Sequence, residues 1–144
     1  MAVNGLKIAL AGLSTVCILG CGADSNDSAG GTSNSVSGAV REWTVTVDAG
    51  SALAGDVSFA ITNNGTIGHE FLVVKTDYPV GRIPTVGDRF AEDGAGVQVI
   101  DEISKFDQGT TETLKVALTP GKYQLVCNLP GHYAAGMHAG FEVL

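Results

Sequence analysis

Sulfur and imidazole are scarce in this chain. Its 144 residues hold three cysteines, three histidines and two methionines, one of them Met1. Cations are scarce too: eight Lys and Arg stand against fifteen Asp and Glu, a net charge of −7. That balance excludes non-specific binding to nucleic acid and favours solubility and basic partners. The one long apolar run, residues 8–19, is interrupted by Gly12, Ser14 and Thr15. It falls short of the roughly 20 residues that cross a bilayer. There is no serine-nucleophile motif, no carboxylate pair at helical spacing and no glycine loop for phosphate, so hydrolytic and nucleotide chemistry have no footing. Internal repeats are absent, and the one helical signal is a turn around residues 88–93.

What the amino terminus does have is an address. Lys7 precedes an apolar core of the length found in secretion signals, about 7–15 residues. The core ends Ile18-Leu19-Gly20-Cys21, which resembles a bacterial lipobox. Residues 1–20 are therefore expected to be a lipoprotein signal peptide and Cys21 the lipidated residue. Cys17 fits less well because Val16 is bulky at the cleavage position. Loss of Lys7 with the leader takes the net charge to −8. Behind Cys21, the rest of residues 21–39 is Gly, Ser, Asn, Asp, Thr and Ala around a single Val36. They hold too little apolar surface to offset ordering entropy, and are expected to form a flexible linker. The domain proper is expected over residues 40–144, exported and held by lipid at the cell envelope.

Within that domain Trp43, Val45 and Val47 alternate with polar residues, as do Val57, Phe59 and Ile61 before the turn Asn63-Asn64-Gly65. Further strands are expected at residues 71–75, 97–100, 114–118, 123–127 and 140–144. The segment carrying Tyr78-Pro79 and Ile83-Pro84 forms a long excursion. Seven to eight short strands in about 105 residues imply an all-β, Greek-key β-sandwich. Trp43, Phe59, Phe71, Leu125 and Phe141 are the expected large core residues.

With Cys17 and Cys21 in the leader, Cys127 is the lone thiol of the domain and has no intramolecular disulfide partner. A free thiol in an exported protein asks for another explanation. It opens the stretch Cys127-Asn128-Leu129-Pro130-Gly131-His132-Tyr133-Ala134-Ala135-Gly136-Met137, with thiol, imidazole and thioether at x4/x4 spacing on one Gly/Pro-containing loop. A soft thiolate, imidazoles and a weak thioether select an electron-transfer copper. His69, after Gly68 at the start of a strand, can supply the second imidazole. His138 neighbours Met137 and points to the opposite face in an extended chain, so it is expected to be exposed.

Gly68-His69-Glu70-Phe71 and the stretch from Cys127 to Met137 resemble the cupredoxins, the small blue copper proteins of the plastocyanin, azurin and sulfocyanin type. The x4/x4 loop is similar to the sulfocyanin and rusticyanin pattern. The resemblance implies one copper ion cycling between Cu(I) and Cu(II). His69, Cys127 and His132 would be its strong ligands, Met137 a long axial one and the Gly68 carbonyl a weak approach from the opposite side. Glu70 stands where this family often has Asn or Ser; Glu70 and Asn128 are the expected supports of the ligands. Leu129, Pro130, Ala134 and Ala135 would form a small apolar patch for transient redox partners. The implied role is a one-electron carrier, monomeric and not an enzyme. The alternative is a copper carrier, store or resistance lipoprotein with the same ligands.

Overall fold

The computed structural model describes residues 34–144; the expected signal peptide, Cys21 and most of the expected linker lie outside them. The described residues form a β-sandwich. One sheet has the order β2-β1-β4-β9, built from β1 (Ser35–Arg41), β2 (Thr44–Val47), β4 (Gly55–Asn63) and β9 (Thr111–Leu118). The other has the order β3-β11-β10-β5-β8, from β3 (Ser51–Ala52), β11 (His138–Val143), β10 (Gly121–Val126), β5 (His69–Thr76) and β8 (Val97–Phe106). A ribbon of β6 (Thr85–Val86) and β7 (Arg89–Phe90) and one helical turn, α1 (His132–Ala135), complete the elements.

Alternation decides what faces inward. In β4, Val57, Phe59, Ile61 and Asn63 are buried at every second position, and the three apolar ones meet Phe71, Val73, Leu125 and Phe141 of the opposite sheet in one core. Phe59 packs on Phe71 and Phe141 with ring centroids 5.6 and 5.3 Å apart. Strand β5 is buried on both faces, because residues 77–96 fold over its outer side. Leu72, Val74 and Val126 form a second cluster there with Ile83, Phe90 and Tyr133. A strand covered on both sides reads as a continuous apolar run, as Phe71-Leu72-Val73-Val74 does.

Several expectations are corrected. The stretch from Ser35 to Ala39, read as flexible linker, is most of β1. It runs parallel to β4, with Val36 opposite Phe59, and antiparallel to β2. Composition misled because the pairing on two sides satisfies the backbone and a single Val36, 1% exposed, supplies the apolar contact. Residues 88–93 hold β7 and turns, not a helical turn of their own. Helix appears instead at α1, closed by Gly136 in a left-handed conformation (φ 119°) with its N–H on the Tyr133 carbonyl. Trp43 is not a core residue: it is 49% exposed, at the turn before β2. His138 is half-buried rather than exposed, its ring 5.4 Å from that of Tyr133.

Candidate metal centre

Strands β5 and β10 are hydrogen-bonded neighbours, paired Leu125 to Val73 and Val126 to Leu72. Side chains of one parity on adjacent strands share a face. His69 and Cys127 extend the inward rows of Phe71-Val73 and Tyr123-Leu125, so pairing alone brings them to one end of the core. The loop from Cys127 then returns on itself. Cys127 N–H donates to the Met137 carbonyl and Met137 N–H to the His132 carbonyl, each at 3.1 Å. Thus His132 swings back over Cys127, and Met137 enters the same buried cluster as the cysteine.

The three strong donors converge. His69 Nδ1 lies 3.3 Å from His132 Nδ1, which lies 3.4 Å from Cys127 Sγ. One ligand atom from each of the three falls within 4.8 Å of the others. His69, Cys127 and Met137 are fully buried and His132 is 8% exposed. Burial pushes both imidazoles below their ordinary pKa; at His69 the Glu42 carboxylate opposes this, while at His132 the neighbouring His69 adds to it. Burial pushes the Cys127 thiol up, against the Glu70 and Leu129 amides. The unloaded centre therefore offers neutral imidazoles and a protonated thiol, and metal binding must release the thiol proton. Two nitrogens and a sulfur facing one point in an apolar surround fit a soft, low-coordinate metal and no hard cation.

The supports come from both expected and unexpected residues. Glu70 does bridge the ligand strands: its carboxylate accepts the Asn128 N–H at 2.7 Å, while its own N–H points at Cys127 Sγ at 3.5 Å. Burial raises the Glu70 carboxyl pKa, and the Asn128 amide counters it. Asn128 reaches the excursion, donating to the Phe90 carbonyl (3.1 Å) and Glu92 Oε1 (2.7 Å) and accepting from Phe90 N–H (2.8 Å). Pro130, Ala134 and Ala135 are exposed and Leu129 half-buried beside this loop. Gly68 lies beneath the Lys105 side chain.

Sequence reasoning missed Glu42, the role of Trp43, and Asn63. Glu42 and Trp43 sit in the turn between β1 and β2. The Trp43 ring meets His132 edge-on at 5.2 Å. Glu42 Oε1 accepts from Thr66 N–H (2.7 Å), Thr66 hydroxyl (3.2 Å) and Ile67 N–H (3.1 Å) and lies 3.4 Å from His69 Nε2. The backbone amides hold its carboxyl down at about 2. No local spacing announces contacts between separate strands and turns. Asn63, at the end of β4, was visible only as a turn former. Buried, it donates to the Ile67 and Phe106 carbonyls at 2.9 and 3.1 Å and accepts from Gly65 N–H at 2.9 Å. Asn63→Ala strands these groups and is expected to destabilise the domain by about 2–4 kcal/mol. Denaturant unfolding tests it, and a loss under about 0.5 kcal/mol would show that this network does not hold the His69 turn.

The sulfocyanin (SoxE) domain matches residues 28–143. The chain belongs to the sulfocyanin family. In this sulfocyanin-family chain His69, Cys127, His132 and Met137 are arranged as a type 1 copper site for one copper ion. Among similar proteins, rusticyanin of Acidithiobacillus ferrooxidans is 35% identical over 94 residues, 65% of this chain and 46% of the relative. Rusticyanin of Acidithiobacillus ferridurans gives the same figures. The chain thus spans about half the length of these relatives. By structure it is similar to auracyanin from Roseiflexus castenholzii, described as a dithionite-reduced form. The TM-score is 0.57 at 23% identity, covering 79% of this chain and 99% of that one. Azurin from Methylomonas sp. strain J gives 0.56 at 17%, covering 76% and 97%. These likenesses carry the fold, and the sulfocyanin assignment carries the copper chemistry.

Proposed function

We propose that this sulfocyanin-family domain is a one-electron carrier, exported and held at the cell envelope through Cys21. The observation that carries the reading is the buried meeting of His69 Nδ1, His132 Nδ1 and Cys127 Sγ, with Met137 in the same cluster. Copper bound there supplies a Cu(II)/Cu(I) couple whose two states both tolerate three strong ligands and one weak one. The chain's own part is to keep the ligands still. Cys127 is tied to Met137, His132 to Leu129 and Glu70 to Asn128, so little has to rearrange when charge changes.

Cys127 continues directly into β10 and gives a covalent path into the sheet. His132 is the ligand that reaches towards solvent, and its exposed neighbours Pro130, Ala134 and Ala135, with half-buried Leu129, suit a small docking surface. Transient redox encounters bury less than about 1,200 Å². The Gly68 carbonyl, one residue before His69, would be a further weak donor to the copper.

The experiment is spectroscopic and electrochemical together. The copper(II) form should show an intense thiolate-to-copper band, and a reversible couple should run through many cycles without metal loss. Metal released on each reduction would replace this reading with copper carriage or storage.

A further inference from the structure

The turn between β1 and β2 places two consecutive side chains over the two imidazoles, Glu42 on His69 and Trp43 on His132. Glu42 is the more consequential. His69 is fully buried, and its Nε2 has no well-formed hydrogen bond. The polar atom facing it is Glu42 Oε1 at 3.4 Å. That oxygen is not adrift: two amides and a hydroxyl of Thr66 and Ile67, on the same turn as His69, hold it in place. The close approach also depends on Gly65. A Cβ there would stand 2.7 Å from His69 Nε2 and 2.8 Å from Glu42 Oε1, too close to both for either to stay in place.

We propose that Glu42 accepts the Nε2–H of His69, so that Nδ1 is left to ligate, and that its negative charge lowers the reduction potential of the copper centre. The inference rests on the electron-carrier reading for its second half only. A metal-ligating imidazole commonly gives its other N–H to a carboxylate, which fixes the tautomer and raises the basicity of the ligating nitrogen. A stronger donor favours Cu(II) over Cu(I). Here the contact also matches the metal-free geometry: with His69 protonated on Nε2, its Nδ1 can accept from His132 Nδ1, 3.3 Å away. Glu42 is a positioning residue, since it touches the ligand and not the metal.

The test has two arms on the full chain. In the metal-free protein, ¹⁵N imidazole spectra should show His69 as the Nε2–H tautomer; a proton on Nδ1 overturns the proposal. In the copper-loaded protein, Glu42→Gln keeps an oxygen for the Thr66 and Ile67 amides and removes only the charge. The ratio of Cu(II) to Cu(I) affinity should fall about tenfold, an order typical of lost outer partners and equal to about 59 mV upward for a one-electron couple. Gly65→Ala, which parts the two groups, should move the potential in the same direction. A change under about twofold in that ratio for Glu42→Gln overturns the tuning role. If the wild-type chain shows no thiolate-to-copper band, the electron-carrier reading fails, while the tautomer arm still decides the contact.

Discussion

Cys127→Ala is expected to abolish the intense visible band of the copper-loaded protein completely, while the metal-free domain stays folded. The band requires a thiolate on the metal, and Cys127 is the free cysteine among the described residues. Cys17 and Cys21 fall in the expected leader and lipid-attachment segment. The substitution removes one buried sulfur and the acceptor 3.5 Å from the Glu70 N–H. That is comparable to a buried methylene, about 1 kcal/mol, and should lower the melting temperature by only a few degrees. Optical titration with copper, with thermal unfolding of the metal-free chain alongside, checks both halves. A band that survives would mean that the chromophore is not this thiolate. Its loss together with the fold would mean that the cysteine acts mainly in packing.

A chain shortened to begin at Val40 is expected to lose most of its stability, whereas one beginning at Asn34 keeps it. The shorter chain lacks Ser35 to Ala39, which lie between β2 and β4 in their sheet. It forfeits the parallel ladder from Ser35↔Ser58 to Ala39↔Thr62 and the antiparallel pairs Gly38↔Val47 and Ala39↔Thr46. It also loses the mutual contacts of Ser37 with Asp48, both 2.9 Å. Burial of Val36 alone is worth about 1.5–3 kcal/mol. Each lost ladder bond adds about 0.5–1.5 kcal/mol. Against a typical total of about 5–15 kcal/mol, few domains survive such a loss. Denaturant midpoints of the two chains decide it; equal midpoints would show that β1 is dispensable. The same cut leaves the Glu42–Trp43 turn anchored on β1 only by Val40↔Val45 and Arg41↔Thr44, so it should loosen the metal centre as well.

Local pattern carried the reading where a rule of period or spacing applied. Phe59 and Ile61 alternate because one face of β4 is wet, and their burial could be read directly. Phe71 to Val74 gave a strand but not its second covering, since only the folded excursion of residues 77–96 shows what lies over Leu72 and Val74. Trp43 failed in the other direction. Its place in an alternating row implied burial, yet the strand begins after it, and the ring is used on His132 instead. Val36 was undervalued because composition counts apolar side chains and not backbone partners. Glu70 could be singled out by its position after His69, but whether it joined the two ligand strands depended on the register that sets Asn128 beside it.

The donor set was legible in residue types and spacing: one domain thiol, a thioether and an imidazole at even intervals on one loop, and a second imidazole after a glycine. Those identities follow from residue type, because few side chains are soft enough for copper. How they are held came from the folded arrangement. Pairing of β5 with β10 brings His69 against Cys127 across 58 residues, and the β1–β2 turn delivers Glu42 and Trp43 to the two imidazoles. The physical reason is that ligand identity is a property of single side chains, whereas strand pairing and burial depend on partners that no local stretch contains.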